Sequence, residues 1–212
     1  MPRTSPSRTL VIDTATAACS VALVEGGAVL ARRHEVVGRG HAERLVPMIA
    51  ELPEGGRAER ILVDVGPGSF TGVRVGIAAA RGLALGWDGE VAGCSSLALV
   101  AAAAFRDRTD AGQIVVVLEG GHGEVFVQGF AADLSTTVPL ASLRPKAALA
   151  MLAGRPAAGS GVSRLLALDP AIDATMMLPD AADAVLLPSA LAALPPRPLY
   201  GRAPDAVPPR RS

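Results

Sequence analysis

The chain has 212 residues, half of them hydrophobic and 19% charged, with 20 basic and 20 acidic side chains and a formal net charge of zero. That length is one large domain or two small lobes with ample apolar material for a core, which excludes wholesale disorder. The charge balance excludes a protein that grips nucleic acid through an overall basic excess.

In chain order, residues 9–13, 20–24 and 28–37 read as three strands, with Glu25-Gly26-Gly27 as the turn between the last two. Gly38-Arg39-Gly40 breaks the pattern. Residues 41–52 then carry Leu45, Met48, Ile49 and Leu52 at helical spacing, and Pro47 should kink this helix or mark its true start. A strand at 61–65, a tight loop Gly66-Pro67-Gly68-Ser69, a helix over 70–86, a short strand at 90–94 and an Ala-rich helix over 96–105 follow. The order restarts near Gly112. A hairpin at 114–119 and 124–130, a strand at 136–140, a helix at 146–153, a strand at 156–159 and a helix at 162–168 come next. Three strands, then helix, strand, helix, written twice, predict two related α/β lobes over 1–110 and 111–197. Residues 198–212, rich in Pro and Arg, read as an extended tail.

The longest apolar run, 97–105, is far short of the ~20 residues of a membrane span, and the N-terminus has no signal-peptide core. Cys19 and Cys94 sit in apolar stretches and read as buried reduced thiols. Zinc-protease chemistry is excluded because the position four after His34 is Gly38, not a second His. The Gly66–Gly72 loop lacks the Lys of a nucleotide-binding P-loop, and Pro67 stands where a nucleophile elbow needs Gly. Its Gly66, Gly68 and Gly72 miss the dinucleotide spacing. Asp13, Thr14 and Thr16 end the first strand, where an acid and hydroxyls could approach a phosphate-bound Mg²⁺; the plainer role is satisfying backbone groups in the turn.

The helix over 70–86 carries more apolar surface than one sheet contact uses. Val73, Ile77, Ala80 and Ala84 share a face, Gly72, Gly76, Ala80 and Ala84 form a row of small residues, and Arg74 and Arg81 share one narrow stripe. Part of this surface packs on the chain's own sheet. The remainder, with the helix over 41–52, is expected to meet a partner through Leu45, Met48, Ile49, Val73, Gly76, Ile77, Ala80 and Ala84. Gly76→Arg or Ile77→Glu should then abolish association and spare the fold.

Several stretches together resemble the TsaB (YeaZ) family. They are Ile12-Asp13-Thr14-Ala15-Thr16, His41-Ala42-Glu43-Arg44-Leu45-Val46-Pro47, Gly66-Pro67-Gly68-Ser69-Phe70-Thr71-Gly72-Val73-Arg74-Val75-Gly76, Ser95-Ser96-Leu97, and Pro198-Leu199-Tyr200-Gly201-Arg202-Ala203-Pro204-Asp205-Ala206. The resemblance implies a two-lobed actin-like ATPase / ribonuclease H-like α/β fold. It also implies a part in forming threonylcarbamoyladenosine (t6A) at adenosine 37 of tRNA. The chain would be a non-catalytic partner of the paralogue TsaD, with the ATPase TsaE joining the assembly. The tRNA would be reached through the complex, and a homodimer is expected in isolation, in the cytoplasm and without membrane attachment. The catalytic paralogue holds a metal with two His four residues apart; the comparable stretch here, 93–100, has no His. No catalytic residue, metal or resident cofactor is therefore expected. The rival reading is a weak Mg-ATP-binding or hydrolysing protein using Asp13. One departure is Glu119-Gly120-Gly121-His122, where the family usually has a strand ending in Asp-Ala-Arg.

Overall fold

A computed structural model describes residues 7–201. Three strands, β1 (Arg8–Asp13), β2 (Ala18–Glu25) and β3 (Ala28–Val36), are followed by α1 (His41–Ala50), β4 (Arg60–Asp64), α2 (Phe70–Trp87), β5 (Glu90–Cys94) and α3 (Ser96–Asp107). The second half repeats the order with β6 (Gln113–Glu119), β7 (Val125–Ala131), β8 (Thr136–Leu143), α4 (Pro145–Leu152), β9 (Ala157–Ala158), α5 (Val162–Leu166) and β10 (Ala174–Thr175).

The first sheet runs β3-β2-β1-β4-β5 and the second, read from its far edge, β8-β7-β6-β9-β10. In both, the first three strands are antiparallel and the last two join in parallel. The duplicated α/β pattern expected from sequence is thus present in topology and strand direction. β10 and four 3-10 helices, including Ala181–Leu186, were not foreseen. Two-residue strands and single turns are too short to show a period.

α1 starts at His41 and runs through Pro47, so the proline does not mark its start. Pro47 and Glu43, whose carbonyl loses its partner to the proline ring, both lie on the exposed side, where water can serve that carbonyl.

α1 and α2 cover one face of the first sheet, burying Leu45, Met48 and Ile77 against Leu10, Ile12, Ile61 and Val63. α3 lies between the sheets: every residue from Ser96 to Ala104 is buried. Leu99 joins Val11, Ala22 and Leu62 of the first sheet, and Leu97, Val100 and Ala101 join Val116, Leu118 and Phe126 of the second. A helix buried on all sides between two sheets needs small residues, which accounts for its alanines.

Residues 194–201 form a strap across the two halves. Leu194 pairs with Gly93 at the β5 edge, and the Leu199 amide donates to the Val65 carbonyl at 2.8 Å. Gly201 packs so closely on Phe126 that a Cβ there would sit 2.6 Å from its ring. Residues 198–201 are therefore held to the body; the rest of the expected tail, 202–212, lies outside the described residues. Among the described residues no helix is long and apolar enough to cross a membrane.

Candidate functional site

β1 and β4 lie side by side in parallel, with Ile12 beside Val63, and each ends in an aspartate. Asp13 and Asp64 thus meet at the head of the first sheet, both wholly buried. Asp13 Oδ1 accepts from the Ala15 amide at 2.8 Å. Asp64 Oδ1 accepts from the Gly66 amide at 2.7 Å and the Ser96 hydroxyl at 2.9 Å. Both Oδ2 atoms are buried without a hydrogen-bond partner.

Two carboxyls buried at the ends of adjacent strands disfavour each other's ionisation. Desolvation holds Asp13 well above the usual carboxylate range, and the Asp64 charge adds to the shift. Asp64 is also raised by burial, but its hydrogen bonds from Ser96 and Gly66 favour its anion. The neutral form is therefore favoured more strongly at Asp13 than at Asp64. Asp64 does have a sequence signal: Leu10-Val11-Ile12-Asp13 and Ile61-Leu62-Val63-Asp64 are the same pattern, and they lie on adjacent parallel strands.

The phosphate-site residues expected from sequence are engaged elsewhere. The Thr14 hydroxyl donates to the Gly72 carbonyl at 2.7 Å, bolting β1 to α2. Thr16 Oγ1 accepts from the Ala18 amide, and its carbonyl lies 2.9 Å from the ring of buried His41. The Gly66–Ser69 loop sits directly on this turn, with the Ser69 amide donating to Ala15 at 2.6 Å. A Cβ on Gly68 would come within 2.0 Å of the Ala15 carbonyl, and one on Gly72 within 2.1 Å of the Thr14 carbonyl. The two carboxyls are wholly shielded from solvent. Neither carboxyl is exposed in this structure to meet a phosphate-bound Mg²⁺. Among the described residues no group of three His, Cys, Asp or Glu side chains could hold a metal. Cys19 and Cys94 are both buried and unpaired with each other, and burial pushes the Cys19 thiol up to about 11.

The eight residues expected to meet a partner all face inward. Leu45, Met48, Ile49, Val73, Ile77, Ala80 and Ala84 are core residues, none more than 6% exposed. Gly76 lies against β1 and β4, where a Cβ would fall 2.5 Å from the Thr14 hydroxyl and 3.3 Å from Val63. This corrects the sequence reading: the row of small residues lets α2 approach its own sheet. Gly76→Arg and Ile77→Glu would therefore break the fold. The opposite sides of the same helices are open and largely apolar, with Glu43 on α1 and Arg74 and Arg81 on α2 among the apolar residues. On α1 they carry Ala42, Val46, Pro47 and Ala50, with Val46 58% exposed. On α2 they carry Ala78, Gly82 and Leu85, with Leu85 88% exposed, flanked by half-buried Val75, Ala79 and Leu83.

The family model described as "TsaD: tRNA N6-adenosine threonylcarbamoyltransferase" matches residues 33–167. The tRNA threonylcarbamoyladenosine biosynthesis protein TsaB of Escherichia coli is 40% identical over 134 residues, 59% of this chain and 56% of that protein. YeaZ from Pseudomonas aeruginosa superposes with a TM-score of 0.77 at 28% identity, covering 92% of this chain and 99% of that one. The chain belongs to the TsaB (YeaZ) family. An uncharacterised protein of Mycobacterium tuberculosis is 33% identical over 98% of both chains. The matched stretch spans about half the length of the E. coli relative and of the Haemophilus influenzae TsaB, 56% and 51%. The fold is the two-sheet α/β architecture shared with YeaZ.

Proposed function

We propose that this chain is a non-catalytic partner subunit in t6A formation at adenosine 37 of tRNA, in the cytoplasm, docking on the catalytic paralogue TsaD. TsaE would join the pair, and the same face would hold a second copy when TsaD is absent. The observation that carries this reading is the contrast between the two ends of the same elements. The strand head, where chemistry would need access, is closed over two wholly buried carboxyls. The outer sides of α1 and α2 leave apolar residues uncovered, Val46 and Leu85 above all. An ordinary protein interface removes ~800 Å² from each partner, which two adjacent helix faces can supply. The names of the E. coli and H. influenzae relatives supply the process.

Docking of this kind acts by favouring one conformation of the partner, which needs a few kcal/mol of differential affinity. The test is co-purification with TsaD of wild type and of Val46→Glu and Ala78→Arg, whose side chains lie on the open face. Wild type should form a stable heterodimer, and each variant, folded as judged by its melting curve, should weaken it at least tenfold. Variants that bind as tightly as wild type would contradict the assignment of the face.

A further inference from the structure

β3 is the open edge of the first sheet. It has nine residues and no proline, and among the described residues no strand pairs with its outer side. Outside its pairing with β2, only the Arg32 carbonyl has a donor there, the Arg33 guanidinium at 2.9 Å. The other three edges are closed among the described residues. Leu194 bonds to Gly93 on β5, Pro139 interrupts β8, and β10 has only two residues.

The open edge also borders a cleft. Residues directly opposite on antiparallel strands share a face. Arg32 lies opposite Ala22 and His34 opposite Ser20. Ala22 clusters with Ala181, and the Ser20 hydroxyl accepts from the Ala181 amide. Arg32 and His34 therefore turn away from α1 and α2, toward the 3-10 turn Ala181–Leu186. There they line an open cleft of about 700 Å³ with Met176, Met177, Leu178 and Arg106. The carboxylates of the cleft lie deeper than its cations. Asp180 and Asp183 are 16% and 12% exposed, whereas their partners Arg32 and Arg106 are 64% and 49% exposed. His34 is exposed and has no hydrogen-bond partner among the described residues. The rim is thus basic and one wall apolar.

We infer that β3 and this cleft bind an extended acidic segment of another protein, added as a further strand on the open edge. Each feature answers one part of that ligand. The unpaired main chain of β3 supplies hydrogen bonds to a strand, which a small anion would leave unused. Arg32, His34 and Arg106 complement its carboxylates. Met176, Met177 and Leu178 receive apolar side chains at alternate positions, and methionines adapt to varied shapes. A second copy of this chain fits poorly. A symmetric pairing centred on Arg33 sets that residue against its own copy and Arg32 against His34. The cleft lies on the sheet face opposite α1 and α2, so the inference goes beyond docking there and does not rest on it.

The test is fluorescence anisotropy of a labelled peptide, Glu-Thr-Leu-Thr-Glu-Thr-Leu-Thr-Glu, titrated with the full chain. Saturable binding with Kd below about 1 mM is expected, weakening as salt rises. Replacing the two central Thr of the peptide by Pro, which removes main-chain donors, should weaken it about tenfold. Met176→Glu should weaken it about tenfold and Arg32→Gln about threefold. The inference is overturned if the peptide does not bind, or if its Pro version or a version with Lys for Glu binds as well. It is also overturned if folded Met176→Glu and Arg32→Gln bind as wild type does. A dimer of the chain that Met176→Glu dissolves would make the occupant a second copy and overturn it too. Val46→Glu and Ala78→Arg should bind the peptide normally, so failure of this inference and failure of TsaD docking are read separately.

Discussion

At the scale of single residues, Asp13 is the position where environment departs furthest from composition. Its carboxyl is raised, so the sign of its pH dependence is fixed. The contribution of a neutral Asp13 is fully present below the ordinary carboxylate value of about 3.9 and is lost as pH rises through its folded-state value. Asp13→Asn keeps an oxygen for the Ala15 amide and carries no charge at any pH. Melting curves from pH 5 to pH 9 should show the variant gaining on wild type as pH rises. A constant difference between the two curves would contradict the raised Asp13 carboxyl. Asp13→Ala removes the bond to the Ala15 amide and should cost about 1–3 kcal/mol throughout. Gly76→Ala is the companion test of packing. Its Cβ would meet a Thr14 hydroxyl that is fixed by its bond to Gly72. Forcing α2 outward should cost about 1–3 kcal/mol, read as a lower melting temperature. The sequence showed Asp13 and the glycines but not their neighbours, because register between strands 50 residues apart is a tertiary fact.

At the scale of elements, the boundaries of α2 were legible and its orientation was not. A helix apolar around most of its circumference has no single stripe that points to the sheet. Small residues at every fourth place are consistent with close approach to either a partner or the protein's own strands. Thr14 and Val63 decide it: the glycine side faces inward, and Leu85 and Ala78 face out. Ile77→Ala should therefore cost about 2–5 kcal/mol of stability, as for other buried aliphatic truncations, while Leu85→Ser should leave the melting temperature nearly unchanged. An equal loss in the two variants would place α2 the wrong way round. The strands β1 to β8 were legible from their apolar runs and intervening turns. β10 and the 3-10 turn Ala181–Leu186, which covers the back of the first sheet through a bond from the Ala181 amide to Ser20, left no periodic trace.

At the scale of the whole molecule, the repeat of three strands, helix, strand, helix was legible because each copy keeps its order and its strand directions. What joins the copies was not, since α3 reads as an ordinary Ala-rich helix and the strap as a Pro-rich tail. In the fold α3 is wedged between both sheets, and residues 194–201 tie the β5 edge to the Phe126 side. Both features favour a fixed relation between the halves, as suits a subunit that presents a surface. The central claim, a docking surface without its own chemistry, is tested most directly by t6A formation on unmodified tRNA. The assay would supply TsaD, TsaE and threonylcarbamoyl-adenylate, and add this chain in one of three forms. Wild type and Asp13→Asn should support modification equally, and Ala78→Arg should support it at least tenfold less. Modification lost in a folded, TsaD-bound Asp13→Asn would contradict the account, because the sealed carboxyl pair would then be part of the chemistry.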